Sequence, residues 1–311
     1  MRILFLGTSD YGAPALRELV RRCHDVRGVV TQPDRKCGRG LAAAPCAIKQ
    51  VALELGLPVF QPEDVNAAPS VAELTKLAPE ILVVISYGQI LSSEVLAIPS
   101  VMPVNIHGSL LPAYRGPAPV NWALINGDTM TGNTLMRVVR KMDAGPVILK
   151  REEKILDTDD ALTLEKRLSE GAAGLLSEGL ELIAAGKAPL DEQDSARATY
   201  APKLKKTDGR IDWTQNSCQV RNRIRGLAGW PGSYSFLHSA MIKIISPVST
   251  RTDGTEGAPG TITAVSKKAI TVACGAGFLD IENLQPAGKR VMSAAEFIAG
   301  HTVKAGDRFT A

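Results

Sequence analysis

Short apolar runs alternate with helical patterns over the first hundred residues, and this alternation limits the chain to few folds. "RILFLG" (2–7) predicts a buried strand, residues 13–22 have helical spacing, and "DVRGVVTQ" (25–32) predicts the next strand. The pattern continues with helices predicted over 46–56 and 70–79 and strands over 57–61, 80–88 and 101–108. Such units build a parallel sheet covered by helices. We therefore expect an α/β fold that opens with a Rossmann-like, doubly wound sheet.

The later part of the chain has a different pattern of predicted elements. Residues 133–139 and 146–155 predict a β-hairpin, and a long helix is predicted over 159–185, where the acidic run "DTDD" suits the positive end of its dipole. From Trp230 onward, short strands are separated by Gly and Pro, namely "SYSFLH", "AMIKIISPV", "GTITAVS", "AITVACG" and "GFLDIENLQP". Five strands at this spacing predict a small, OB-like β-barrel.

A polar stretch without apolar period separates these two parts and is typical of a linker. We predict a catalytic domain over 1–189, a linker over 190–207 and a C-terminal barrel domain over 208–311. Charge divides the chain at nearly the same place. The net charge is +4, yet residues 203–311 hold 15 Lys and Arg against 8 Asp and Glu. A basic second domain indicates a polyanionic partner, and a merely solvated basic surface is the alternative.

Several classes of protein are disfavoured by composition. No run of eighteen apolar residues predicts a membrane span, and the short apolar N-terminus is unlike a signal peptide. The five cysteines are scattered without a CxxC pair, which indicates reduced thiols and a cytoplasmic location. No cysteine–histidine cluster has the spacing of zinc ligands, so we expect no metal.

The turn after the first strand, "LGTSDYGAP", lacks the GxGxxG pattern of dinucleotide sites and the Gly-Lys-Ser/Thr of a P-loop. Two interpretations remain open. The turn either admits the first helix or points backbone N–H groups at a ligand near the strand ends.

The segment "NIHGSLLPAYRGPAPVNWALINGD" (105–128) leaves a predicted strand on Asn105 and His107. These residues are two apart, so an extended strand points both side chains to the same face. A third polar group is needed to orient an imidazole, and Asp143 in "MDAG", at the tip of the predicted hairpin, is the best candidate. The three residues together predict acid–base chemistry at the sheet edge.

This segment and "MDAG" resemble the folate-dependent formyltransferases. Further blocks that match in order are "FLGTSDYGAPAL", "VVTQPDRKCGRG", "GLPVFQPEDV", "VVISYGQIL", "YAPKLKKTDGRIDW", "RIRGLAGWPGSYSFL" and "LQPAGKRVMSAAEF". They cover nearly the whole chain. The "TQPDR…GRG" loop and the C-terminal blocks resemble the members that act on aminoacylated tRNA.

The resemblance implies that 10-formyltetrahydrofolate donates a formyl group to the α-amine of methionine on charged initiator tRNA. Asn105 would donate a hydrogen bond to the oxyanion, His107 would bond the same oxygen or move the amine's proton, and Asp143 would orient His107. By the same resemblance, folate would be held by the "SLLP" residues Ser109, Leu110, Leu111 and Pro112 and by the turn at Tyr87 and Gly88.

The resemblance also implies tRNA contacts from a cationic loop, and the positive charge of residues 203–311 favours contacts from the lysines at the end of the linker. The expected residues are Arg35, Lys36 and Arg39 in the loop, and Lys203, Lys205 and Lys206. After "GRG" this chain continues "LAAAPCA", whereas the family often has lysines there, so the loop is less basic than usual. We expect a monomer.

Two other functions stay open. A formyltransferase acting on a small amine would share Asn105, His107 and Asp143, although it would need neither the basic loop nor the basic second domain. A non-catalytic RNA-binding relative would keep the barrel, because such barrels bind nucleic acid, but it would not need the three site residues.

Overall fold

The structure, a computed structural model, describes residues 1–37, 42–254 and 257–310. Two compact units are found in this part of the chain. The first comprises Met1–Gly116, Met130–Lys154 and Glu165–Tyr200, and the second comprises Pro117–Thr129, Ile155–Leu164 and the chain from Ala201 onward.

The first unit contains nine strands. They are β1 (Arg2–Gly7), β2 (Asp25–Val30), β3 (Arg35–Cys37), β4 (Ala42–Ala44), β5 (Val59–Phe60), β6 (Ile81–Ile85), β7 (Met102–His107), β8 (Met130–Arg137) and β9 (Val147–Lys154) among the described residues. Its helices are α1 (Ala13–Arg21), α2 (Ala47–Glu54), α3 (Ala68–Lys76), α4 (Ser93–Leu96) and most of α6 (Ala161–Ala184), while α5 (Pro119–Asn126) and the first four residues of α6 belong to the second unit.

Seven strands of the first unit form one sheet in the order β5-β2-β1-β6-β7-β8-β9. The first five are parallel, and β8 and β9 run antiparallel at one edge. The chain moves outward from β1 to β2 and β5, then returns to β6 on the other side of β1. This reversal is the switch point of a doubly wound sheet, where ligands bind beyond the carboxyl ends of the strands. The predicted fold class is confirmed.

Apolar burial explains why these segments become strands. Ile3 through Leu6 of β1 have no exposed surface, and Ile81 through Val83 of β6 are equally buried. Strands covered on both faces need this continuous apolar pattern. In α1, the helical spacing buries Ala15, Leu16 and Leu19 on one face. The predicted elements of residues 1–107 are therefore present, with ends shifted by a few residues.

The predicted hairpin is the antiparallel pair β8 and β9, with Leu135 opposite Leu149. The predicted long helix is α6, and its acidic start acts as expected. The Asp160 carboxylate accepts hydrogen bonds from the backbone N–H groups of Leu162 and Thr163 at 3.0 and 3.1 Å. A side-chain acceptor at this place satisfies N–H groups that have no partner within the helix.

The second unit also contains α7 (Ser217–Gly226) and α8 (Ala294–Gly300). Its described strands are β10 (Ser233–Leu237), β11 (Ala240–Arg251), β12 (Ile262–Val265), β13 (Ile270–Ala273), β14 (Phe278–Pro286), β15 (Met292–Ser293) and β16 (Phe309–Thr310). The five predicted strands correspond to β10 through β14. The short elements β15, α8 and β16 were not predicted.

The second sheet has the order β12-β13-β14-β11-β10-β16, with β15 beside β14. The segment leading into β16 also bonds back to the far edge: Ile262 N donates to Asp307 O at 2.8 Å, and Phe309 N donates to Gly260 O at 2.8 Å. These bonds join the two ends of the sheet, which makes the curled barrel that was predicted. Its core is formed by Trp213, Ile224, Ile244, Leu279 and Phe309, among others.

Residues 190–207, predicted to be a linker, are divided between the two units at Tyr200 and Ala201. Asp191 pairs with Val147, and Tyr200 with Arg115, by isolated bridges within the first unit. The proposed domain boundaries at 189 and 208 stay a prediction. Within the described ranges, no helix is both long enough and apolar enough to span a membrane.

Candidate active site

Asn105 and His107 lie at the carboxyl end of β7, an interior strand of the first sheet. Asn105 is opposite Val84 of β6 and Met136 of β8, and His107 is opposite Thr134. Asn105 is half-buried, whereas His107 is only 6% exposed. The strand thus delivers two polar side chains to the sheet edge at which doubly wound folds bind ligands.

The two nitrogens of the His107 ring face different groups. Nε2 lies 2.8 Å from the carbonyl oxygen of Tyr114, and Nδ1 lies 3.7 Å from Oδ2 of Asp143. A carbonyl oxygen only accepts hydrogen bonds, so Nε2 carries a proton and donates it. Nδ1 is then the nitrogen that faces the Asp143 carboxylate.

Asp143 lies in the connection between β8 and β9, and its backbone is left-handed, with φ at 49°. Its Oδ2 accepts a hydrogen bond from Gly116 N at 2.8 Å. The tight connection depends on Gly145, because a Cβ there would lie 1.9 Å from the Arg137 carbonyl oxygen. The "MDAG" sequence therefore forms a turn that places the carboxylate 3.7 Å from His107 Nδ1.

Asn105 and Asp143 share a cavity of about 300 Å³. Its other walls are Val84, Gln89, Ile90, Leu91, Met136, Val138, Val139, Arg140 and Met142. Among the described residues, none hydrogen-bonds the Asn105 side chain, so both ends of this amide are available to a ligand. His107 is not among the lining residues, but its Nδ1 lies 3.7 Å from the carboxylate of Asp143, which is one of them.

The predicted turn at Tyr87 and Gly88 precedes three lining residues of this cavity. Gly88 has a φ of 96°, which turns the chain from β6 toward Gln89 and Ile90. The Tyr87 side chain is buried, and no described group bonds its hydroxyl, so burial raises its pKa to about 12, with Asp64 adding to the rise. Tyr87 packs in the core, while the residues after it reach the cavity.

The "SLLP" residues lie elsewhere. Leu111 and Pro112 line two adjoining cavities of about 500 Å³ each, together with Lys150 and Arg197, and Leu110 lines one of them. Ser109 is fully buried, and its hydroxyl donates to Ala113 O at 2.6 Å. The structure therefore separates the predicted folate residues, because Ser109 through Pro112 do not line the cavity of Asn105.

The predicted tRNA-contacting residues are exposed wherever the structure describes them. Lys203, Lys205 and Lys206 are all exposed. The exposed Arg35 side chain makes an ion pair of 3.2 Å with Glu63. Arg39 and the side chain of Lys36 lie outside the described part of the chain.

The three arginines of α7 do not form an exposed basic patch. Arg221 donates to Asp157 O at 2.7 Å, and Arg223 donates twice to Asp208 O. Arg225 is only 7% exposed and donates to the carbonyls of Asp159 and Leu156 at 2.5 and 2.6 Å. Burial lowers the pKa of this guanidinium. These guanidinium groups therefore bond backbone carbonyls within the second unit.

Sequence reasoning missed Tyr114, Arg115, Gln193 and Thr199, which surround the His107–Asp143 pair. The Arg115 side chain is 1% exposed and donates to Gln193 Oε1 from Nε and Nη2. The two residues are 78 positions apart, so no local pattern in a single sequence connects them.

Within the described ranges, no group of three or more His, Cys, Asp or Glu side chains is placed to hold a metal ion. Cys23, Cys46, Cys218 and Cys274 are free thiols.

Family models match both parts of the chain. A formyl transferase model matches residues 1–180, and a model of the formyl transferase C-terminal domain matches residues 203–302.

Named relatives match nearly the full length. The chain is 43% identical over 308 residues to a methionyl-tRNA formyltransferase of Geobacter sulfurreducens, covering 99% of this chain and 96% of the relative. It is 42% identical over 307 residues to a methionyl-tRNA formyltransferase of Caldanaerobacter subterraneus, covering 98% and 99%.

Solved structures of lower identity share the fold. An N-formyltransferase from Helicobacter canadensis, in complex with folinic acid and dTDP-3-aminofucose, superposes with a TM-score of 0.68 at 17% identity, covering 90% of this chain and 97% of its own. HypX from Aquifex aeolicus, in complex with tetrahydrofolic acid, superposes with a TM-score of 0.64 at 20% identity, covering 95% of this chain and 46% of its own. With both domain models matched and relatives above 40% identity along the whole length, the chain belongs to the methionyl-tRNA formyltransferase family.

Proposed function

We propose that this chain transfers the formyl group of 10-formyltetrahydrofolate to the α-amine of methionine on charged initiator tRNA, giving N-formylmethionyl-tRNA for translation initiation. The observation that carries the site assignment is the cavity shared by Asn105 and Asp143, with the His107 ring directly behind the carboxylate. Family membership supports the substrates, since the named relatives are methionyl-tRNA formyltransferases.

The cavity is suited to the flat, polar-edged ring of a folate. Ile90, Leu91, Val139 and Met142 supply apolar walls, and Gln89 is a polar neighbour. A volume of about 300 Å³ suits a bicyclic ring and its reacting substituent, which leaves the tail of the folate outside. The bound folate would supply the formyl group. We assign its ring to this cavity, whereas contacts from Ser109, Leu110, Leu111 and Pro112 stay a prediction.

Asn105 is the proposed oxyanion donor. When an amine attacks a formyl carbon, negative charge develops on the formyl oxygen, and a fixed amide N–H stabilises that charge. No described residue hydrogen-bonds the Asn105 side chain, so no described protein group competes with the substrate for its amide. Its position in an interior strand fixes its backbone, because β7 is bonded on both sides.

His107 and Asp143 are the proposed acid–base pair. The attacking amine must lose a proton as its bond to carbon forms, and the leaving folate nitrogen must gain one. Nδ1 of His107 can hold this proton beside Asp143, whose carboxylate also reaches the cavity. The Asp143 carboxylate is therefore placed to pass the proton between the cavity and His107, directly or through water. No metal takes part in this proposal.

We further propose that residues 1–189 hold the folate and the reacting groups, while the basic residues 208–311, with the preceding lysines, bind the tRNA backbone. Exposed lysines can neutralise phosphates without reading bases. Lys203, Lys205 and Lys206 are exposed, as this role requires. Arg35, Lys36 and Arg39 would add contacts from the loop. We place the protein in the cytoplasm as a monomer.

An acceptor assay tests the proposal. The enzyme is given isotopically labelled 10-formyltetrahydrofolate with one of four acceptors: methionyl initiator tRNA, the same tRNA uncharged, free methionine, or a small amino sugar. We expect label only on methionyl initiator tRNA. Label on a small amine would favour a small-molecule formyltransferase, and binding of tRNA without any transfer would favour a non-catalytic relative.

A further inference from the structure

The segment Asp191–Tyr200 follows α6 and is fastened to the first unit at both ends. At one end, Val147 N donates to Asp191 O at 2.8 Å, and Asp191 N donates to Val147 O at 3.0 Å. At the other end, Arg115 N donates to Thr199 O at 2.9 Å. We name residues 191–200 the strap. It joins β9 to the loop that follows β7.

Inside the strap, the Gln193 side chain bonds the turn that carries Asp143. Its Nε2 donates to Asp143 O at 2.9 Å and to Gly145 O at 2.8 Å. Its Oε1 accepts from Nε and Nη2 of the buried Arg115 at 3.1 and 2.8 Å. One amide therefore ties the Asp143 turn to the loop after β7, and both ends of the amide are occupied.

Thr199 bonds the residue on the other side of His107. Its Oγ1 accepts from Tyr114 N at 2.9 Å, and Tyr114 O is the partner of His107 Nε2. The strap thus bonds the backbone carbonyl of Asp143, whose carboxylate faces Nδ1. It also bonds the backbone N–H of Tyr114, whose carbonyl oxygen is the partner of Nε2.

These two backbone positions share an unfavourable conformation. Asp143 has a φ of 49° and Tyr114 has a φ of 60°, a region that residues with a side chain seldom occupy. Such conformations persist where surrounding bonds hold them, and they concentrate at functional sites. Both strained residues are partners of the same imidazole, and both are bonded by side chains of the same ten-residue strap.

We propose that Gln193 and Thr199 are positioning residues for formyl transfer. They hold the two backbone segments that orient the His107 ring, without touching substrate themselves. The inference rests on the proposed roles of His107 and Asp143. It adds two residues that hold them in place, from a segment that the sequence predicted to be a linker.

Two substitutions separate positioning from simple packing. Gln193→Glu keeps an oxygen for the buried Arg115 but removes both N–H donors to the Asp143 turn. Thr199→Val keeps the shape of the side chain but removes the oxygen that Tyr114 N needs. Thr199→Ser is the matched control, because it keeps that oxygen.

The full-length variants are compared by steady-state kinetics, by thermal unfolding and by the ring ¹⁵N signals of His107 in histidine-labelled protein. We expect Gln193→Glu and Thr199→Val to lower kcat at least tenfold and to move the His107 ring signals, with KM for tRNA within twofold of wild type. Thr199→Ser should stay within about twofold in kcat, with unmoved ring signals. All variants are assayed well below their unfolding temperatures.

The same experiment includes His107→Ala and Asp143→Asn. If these two keep full turnover, the proposed site itself is wrong. If they lose turnover while Gln193→Glu and Thr199→Val retain wild-type kcat and wild-type ring signals, the site stands and the positioning role is overturned. Equal losses in Thr199→Ser and Thr199→Val would also overturn it, because the shared oxygen would then have no effect.

Discussion

The two units of this protein use their polar residues in opposite ways. In the first unit, buried polar side chains bond one another over long sequence separations: Arg115 reaches Gln193, and Tyr11 donates from its hydroxyl to Asn133. In the second unit, buried Arg225 bonds backbone carbonyls, while Lys203 and Lys206 are exposed. Under the proposed function, the Arg115–Gln193 contact would support the reaction geometry, and the exposed lysines would face the tRNA backbone.

Replacing Asn105 tests the first half of this comparison and should have the largest effect. We expect Asn105→Ala to lower kcat by roughly a hundredfold, the usual loss when one oxyanion donor is removed. The unfolding temperature should change little, because the amide makes no hydrogen bond to a described residue. Asn133→Ala is a contrasting variant, since Asn133 is buried and bonded on both sides, and its main effect should be on stability. Normal turnover in Asn105→Ala would remove it from the mechanism.

The second half of the comparison depends on the exposed lysines. Replacing Lys203, Lys205 and Lys206 together by Ala should weaken tRNA binding and make the slope of log affinity against log salt less steep. Each lost phosphate contact should change that slope by about 0.9, the duplex value per neutralised phosphate. Binding is measured across a salt series, with kcat at saturating tRNA as the control. An unchanged slope would mean that these lysines only solvate the surface.

Replacing Arg225 should lower stability and leave tRNA binding nearly unchanged, unlike replacing the lysines. Arg225→Leu removes the guanidinium donors from the carbonyls of Asp159 and Leu156, and Leu156 O keeps its bond from Asp159 N, so the loss is comparable to that of one buried hydrogen bond, about 1–3 kcal/mol. We expect the free energy of unfolding to fall by roughly that amount, with little change in the salt slope. Denaturant titration measures the first and tRNA binding the second. A full loss of tRNA affinity without loss of stability would assign Arg225 to the RNA interface instead.

The smallest expected effect concerns α8 of the second unit. Hydrogen bonds from Ser293, followed by Arg290, lower the pKa of Glu296 to about 2. A lowered carboxyl pKa stabilises the folded state above the unfolded value near 4.5, and this contribution is lost as the pH falls from there toward 2. In Glu296→Gln, the unfolding temperature should therefore fall slightly less steeply as the pH is lowered. Thermal unfolding from pH 6 to pH 2 shows this, with exposed Glu282→Gln as the control. An equally steep fall in both variants would contradict it.

Much of this molecule follows from local sequence. The parallel strands are continuous apolar runs, α6 begins at an acidic cap, and the barrel strands are separated by Gly and Pro, so periodicity predicts each of them. Asn105 and His107 could be identified because they are two apart at the end of one strand.

What local sequence could not show depends on distant contacts. Gln193 and Thr199 contact residues 48 to 85 positions away, in a polar segment that has no apolar period. The arginines of α7 also bond backbone carbonyls outside their own helix, 64 residues away in the case of Arg221, and a helical pattern does not show such partners.

The most direct test of the central claim is a single-turnover measurement with ¹³C-formyl-labelled 10-formyltetrahydrofolate and methionyl initiator tRNA. The wild-type enzyme and His107→Ala are compared at concentrations that saturate both substrates. We expect the label to reach the methionyl nitrogen in the wild type, and to do so roughly a hundredfold more slowly in His107→Ala, with unchanged affinity for tRNA. Equal transfer rates in the two proteins, or no transfer to methionyl-tRNA by the wild type, would contradict it.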